Sequence, residues 1–246
     1  MTKARHTSTS TSRSAISRLP LLAALFIVHC TLSIVHCPLF IGSASAQGFL
    51  KWQADSIPLF RGVAVGFDLA GAAQRMIGDY GQYEVMARVN LHDQYFPTVE
   101  VGYGEANHEN DVVTGITYHT KAPYFRIGAD VNLLKKKHTG NRVFGGLRYG
   151  YTSYKVDISR QPFPDPVWKW ETSFGVKDES CYQHWVEVLF GIEAKVYGPL
   201  HLGWSARYRR RIAHDDGIMQ KTWYVPGYGI QESTRLGYTF NLIIDI

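Results

Sequence analysis

The chain has 246 residues, 26 basic against 21 acidic side chains, and three cysteines. Lys3, Arg5, Arg13 and Arg18 precede the first acidic residue by a wide margin, so the rest of the chain is close to neutral and a generally basic, nucleic-acid-binding surface is excluded. Cys30 and Cys37 also lie near the N-terminus, which leaves Cys181 alone in the remainder and excludes an intrachain disulfide there.

After the basic stretch, residues 19–41 carry no charge, and the run closes on Gly42-Ser43-Ala44-Ser45-Ala46-Gln47. Basic, apolar and small-x-small segments in that order read as an export signal, with cleavage expected between Ala46 and Gln47. Residues 1–46 are then a signal peptide and residues 47–246 a single domain. An uncleaved anchor is the alternative, since the run is long enough to span a bilayer; Pro20 and Pro38 weigh against it. Within the run the tetrapeptide Ile-Val-His-Cys occurs twice, at 27–30 and 34–37. Adjacent His and Cys side chains diverge in helix and strand alike, so they do not build a tetrahedral zinc site. No metal and no cofactor are expected.

Beyond the signal the dominant pattern is alternation, the period of a strand with two different faces. Eight segments show it, at about 60–71, 81–91, 96–107, 114–135, 142–157, 181–197, 200–211 and 234–246. In 125–133, for example, Phe125, Ile127, Ala129, Val131 and Leu133 oppose Arg126, Gly128, Asp130 and Asn132. Links after the second, fourth and sixth segments are short, whereas those after the fifth and seventh are long. Short turns on one rim and long loops on the other predict an all-β, eight-stranded, antiparallel up-and-down barrel of the transmembrane kind.

A soluble lipocalin-like carrier would turn the apolar face inward around a ligand. Three features predict the opposite. The polar face is rich in glycine, which suits a crowded lumen. It also carries equal numbers of opposite charges: Asp68, Glu84, Glu100, Asp130, Glu187, Glu193 and Asp245 against Arg88, Arg126, Arg148, Lys195, Arg207, Arg209 and Arg235. Such a set neutralises itself inside a barrel, where an unpaired charge is costly. The apolar face carries Tyr83, Tyr103, Tyr149, Tyr151, Tyr182 and Tyr208 towards the long-loop ends, as an interfacial aromatic girdle does.

The segments "FRGVAVGFDLAG", "GDYGQYEVMARVNL", "YFPTVEVGYGEANHE", "APYFRIGADVNLL", "GGLRYGYTSY", "LHLGWSARYRRRI" and "WYVPGYG" resemble a family of outer-membrane barrel proteins of unknown function found in Bacteroidetes. The resemblance implies fold and compartment, the cell outer membrane, and brings no catalytic residues with it.

An eight-stranded barrel is just wide enough for its side chains to fill, so the charge set together with Trp185, Phe144 and Tyr154 predicts a plugged interior rather than a diffusion pore. Function is then expected in the long loops. Their aromatics Trp168, Trp170, Trp223, Tyr224 and Tyr228, with Arg210 at headgroup height, are the candidate contacts to glycan, lipopolysaccharide or a protein partner. Mutual packing of these aromatics over the barrel is the competing expectation. Outer-membrane lipid and, during insertion, the barrel-assembly machinery are the other expected partners; nucleic acid is not. A lipid-modifying enzyme remains the catalytic alternative, from His184, His214 and Ser153, but no nucleophile motif accompanies them.

Overall fold

The computed structural model describes residues 58–164, 167, 171–218 and 220–246. Residues 1–46, expected to be the signal, and Trp168 and Trp170, expected as loop contacts, lie outside the described residues.

The described chain is all-β apart from a short helix and one 3-10 turn. In order it forms β1 (Phe60–Asp68), α1 (Leu69–Ile77), β2 (Tyr80–Leu91), β3 (Tyr95–His108), β4 (Ile116–Asn132), β5 (Arg142–Pro164), β6 (Glu171–Tyr197), β7 (Leu200–Asp215), β8 (Tyr224–Val225), β9 (Gly229–Ile230) and β10 (Thr234–Asp245). Each of the eight long strands pairs antiparallel with its neighbour in sequence, and β10 returns to β1, with Ala64 opposite Asp245 and Phe67 opposite Leu242. The sheet therefore closes into a barrel. Closure satisfies the backbone donors and acceptors that an open sheet would leave along its edges.

Side chains alternate as the period requires. Along β3, Thr98, Glu100 and Gly102 are buried while Pro97, Val99 and Val101 are exposed. The inward face is polar: Glu100 and Arg126 are 0% exposed. The outward face is apolar, with Val101 at 55%, Ile127 at 53%, Leu147 at 64% and Val188 at 55%. Tyr83, Tyr103, Tyr149, Tyr182 and Tyr208 are exposed on that same face.

Three expectations need correction. The first segment was expected to stay extended to residue 71. It ends at Asp68, whose carboxylate accepts hydrogen bonds from the amides of Ala70 and Gly71 at 3.1 and 3.2 Å and caps α1. Residues 158–180 were expected to be mostly loop. Instead β5 and β6 run for 23 and 27 residues, about twice the 9–11 that cross a bilayer. Pairing slips between Val156 and Ile158 and again between Arg160 and Phe163. Each slip changes which face a side chain takes, so the ladder continues while the sequence period breaks. Finally, the last loop contains the small hairpin β8–β9, which folds back into the barrel: Tyr224, Val225 and Tyr228 are all at most 2% exposed.

The short links sit together at the other rim. His92 and Asp93, at φ 60° and 54°, turn β2 into β3, and Gly198 at φ 54° turns β6 into β7.

Candidate functional site: a sealed lumen above an open basin

The centre of the barrel holds four carboxylates and four guanidiniums. Glu100 on β3 is the hub. It accepts from Arg207 at 2.7 and 3.0 Å, from Arg126 at 2.8 Å and from Arg148 at 3.2 Å. Arg126 also meets Glu84 at 2.8 Å and Glu187 at 3.1 Å, and Arg209 meets Glu187 at 3.1 Å. Arg148 completes the set: its Nη2 donates to Asp130 at 2.9 Å, and its Nη1 lies 2.7 Å from the other carboxylate oxygen. These residues come from β2 to β7, so the network forms only when the sheet has closed. Charges so deeply buried are tolerated because each is matched and hydrogen-bonded.

The β8–β9 hairpin seals this network from the long-loop side. Pro226 and Gly227 form its turn, with Gly227 at φ 78° and the Tyr228 amide donating to the Val225 carbonyl at 3.0 Å. Proline followed by a residue of positive φ is the composition of a type II turn. Two carbonyls of the tip accept from the network below: Gly227 from Arg126 at 2.9 Å and Tyr228 from Arg209 at 2.7 Å. Tyr118 donates to the Tyr224 carbonyl at 2.7 Å, and the Tyr224 hydroxyl donates to the Gly81 carbonyl at 3.1 Å. Tyr224 and Tyr228, expected among the aromatics that meet an outside ligand, are therefore inside the barrel: the Tyr228 carbonyl accepts from Arg209 and the Tyr224 carbonyl from Tyr118. Trp223 is half-buried, packed on Tyr80, His108 and Tyr118 with centroids 5.6, 5.1 and 5.7 Å away. The mutual-packing expectation describes these three residues.

At the outer rim His108 bridges Asp79 at 2.6 Å and Asp111 at 3.3 Å. The hydrogen bond to Asp79 raises the His108 pKa above its ordinary value. Bonds from the Thr114 backbone and hydroxyl, joined by His108, hold the Asp111 carboxyl down at about 2. The acidic cluster in "HENDV" is thus a self-satisfied turn.

Of the fourteen residues expected in the interior charge set, eleven are buried, Asp68 among them as the helix cap. The other three lie elsewhere. Lys195 and Asp245 are exposed at the short-turn mouth, because β6 and β10 are ending there, and Arg235 is half-buried beside Gly229 of the hairpin. Sequence reasoning missed Arg142 and His201, buried at 6% and 3%. Both have the inward parity of their strands, Arg142 with Phe144 and Arg148, and His201 with Ser205 and Arg207, so the period extended back to the strand start would have found them.

Those two residues belong to a basin of about 270 Å³ at the short-turn end. Its walls come from β1 to β7, the β4–β5 turn and the end of β10. On its floor Glu193 takes a two-pronged bond from Arg88, both contacts at 2.6 Å, and further bonds from Arg142 at 2.7 and 2.8 Å. His201 lies 3.3 Å from Glu193 and 3.0 Å from Asp245.

The residues of the catalytic alternative are not assembled. His184 points outward and bonds the Tyr149 hydroxyl at 2.6 Å, while His214 lies 3.4 Å from Asp216. Among the described residues, no hydrogen bond joins Ser153 to either histidine, and no group of three or more His, Cys, Asp or Glu is gathered as for a metal. Cys181 is a free, buried thiol. Arg210 is exposed on the outer face of β7, as expected from its parity.

Compared with known proteins, the chain matches the model of a domain of unknown function, DUF6048, over residues 24–245. No curated protein matches it.

Proposed function

The chain belongs to the DUF6048 family, and on that premise we propose that it is an exported outer-membrane barrel that is sealed rather than conducting, with a structural or partner-contacting role at the cell surface. One observation carries the reading: the barrel is turned inside out relative to a soluble one. Its exposed face is a belt of Val, Ile, Leu, Phe and Tyr, and its interior is a buried ion-pair network. A continuous apolar belt is costly in water and favourable in hydrocarbon. The lipocalin-like alternative needs an apolar lumen, and the lumen here is filled by arginine, glutamate and a hairpin.

The contact surface in this reading is the wall raised by β5 and β6 beyond the rest of the rim. On the β7 side, pairing begins only at Tyr182 opposite Asp215, so residues 171–181 of β6 have ladder pairing with β5 alone, and Glu179 accepts from the Ile218 amide at 2.9 Å. Arg210 and the tyrosine girdle stand below that wall, at the height where lipid phosphates would lie in this orientation.

The test is migration on a denaturing gel before and after boiling, made on the membrane fraction, followed by planar-bilayer recording. A heat-dependent change in mobility without discrete current steps is the expected result. Recovery of the protein in the soluble fraction without a mobility change refutes the membrane assignment; regular current steps refute the seal. N-terminal sequencing of the mature chain is expected to begin at Gln47.

A further inference from the structure

The basin at the short-turn end takes no part in sealing the barrel, and its charge is not balanced as the centre is. We propose that it binds a small anionic molecule through a carboxylate or phosphate group. On the floor Arg88 and Arg142 share Glu193, and the only other carboxylate within ion-pair distance of either among the described residues is the half-exposed Asp245, 3.8 Å from Arg88. At the rim Arg61 is answered by Asp93 at 3.3 Å, whereas Lys195 has no ion-pair partner among the described residues, its stem lying over Gly140. Lys137 and His138 have partners of their own; in the rest of the lining Arg61, Arg88, Arg142 and Lys195 face Asp93, Glu193 and Asp245.

Arg142 gives the excess a fixed geometry. Its guanidinium lies 4.1 Å from the centre of the Phe96 ring and 4.5 Å from that of Phe144. Nε and Nη2 are both committed to Glu193, while the buried Nη1 has no hydrogen-bond partner. Burying an unmatched charged donor is costly, and here the cost is met beside a cavity of small-molecule size. A planar fork locked by two aromatic rings, with donors spare, suits an oxyanion. Lys195 adds a mobile point charge at the opposite depth, so a molecule with two anionic groups would engage floor and rim together. Water is the competing occupant, but it supplies no countercharge. The inference stands on the cavity's own lining and holds whether the barrel resides in a membrane or in solution.

The experiment is calorimetric titration of the full chain, folded as judged by its gel mobility, with inorganic phosphate in one arm and citrate in another, at constant ionic strength set by sodium chloride. Saturable binding in at least one arm is expected. Phosphate alone would mark a phosphoester ligand, citrate alone a polycarboxylate. Since Arg142 also anchors Glu193, its replacement disturbs the fold, and Lys195→Gln at the exposed rim is the decisive variant. It is expected to weaken binding about tenfold, while Lys177→Gln on the distant outer wall leaves it unchanged. The proposal is overturned if neither anion saturates, if Lys195→Gln binds as the parent does, or if Lys177→Gln weakens binding equally.

Discussion

The two ends of the lumen are built from the same residue types and behave differently. Towards the long loops, four guanidiniums meet four carboxylates, and the hairpin carbonyls of Gly227 and Tyr228 take up two more donors. Towards the short turns, two guanidiniums share Glu193, the β4–β5 turn walls the space rather than filling it, and a basin of about 270 Å³ remains. Charge balance alone does not seal a barrel. What seals the upper half is a main-chain segment that brings acceptors to guanidiniums already holding their carboxylates.

The largest way to break that contrast is to remove the hairpin. Replacing residues 223–230 with a short Gly–Ser linker deletes both carbonyl acceptors, each worth about 1.5–3 kcal/mol as a bond to a charged group, and the packing of Tyr224 and Tyr228. The upper half should then resemble the lower, and planar-bilayer recording should show more current than with the parent. Glu100→Ala tests the centre itself. It strands Arg126, Arg148 and Arg207 around an empty position, and losing one partner of a buried network costs about 3–5 kcal/mol. The temperature at which the compact gel band converts to the unfolded one should fall accordingly. Asp245→Asn, at the half-open mouth with a 51% exposed carboxylate, should lower it far less.

Gly227→Ala is a milder test of the seal. A side chain there must adopt φ 78° and meet the Tyr124 ring, a strain of about 1–3 kcal/mol. The same thermal conversion should move less than with Glu100→Ala, and conductance should appear only intermittently.

The smallest expected effect is from pH at the outer rim. Protonated His108 is stabilised by Asp79 and Asp111, so its folded pKa lies above the unfolded value. Its contribution is complete below the unfolded pKa of about 6.5 and is lost as pH rises through the raised folded value. Hydrogen exchange at the Gly115 amide, which bonds the Asp111 carbonyl at 2.7 Å, should quicken over that range. Corrected for the intrinsic base-catalysed rate, the protection of that amide should fall with pH in the parent and stay constant in His108→Ala.

Much of this was legible in the sequence. Strict alternation in stretches such as 83–91 and 125–133 defines strands, and the short links "HDQY" and "YGPL" define one rim. Eleven of the expected interior charges followed from parity alone. Parity failed beyond Ile158 on β5, where pairing slips again between Arg160 and Phe163, and at the end of β6, where Lys195 has inward parity but is exposed. It also carried no information about a loop that re-enters. "WYVPGYG" is aromatic enough either to wait for a ligand outside or to fill the lumen.

By itself, then, the sequence determined the number of strands, their antiparallel order and which face carries charge, because a two-residue period is a local property of the chain. Tertiary structure alone decided which arginine meets which glutamate, that Tyr224 and Tyr228 turn inward, and that a cation excess gathers at one mouth. Those outcomes depend on residues as far apart as Arg88 and Glu193, 105 positions along the chain, which only closure of the sheet brings within 2.6 Å.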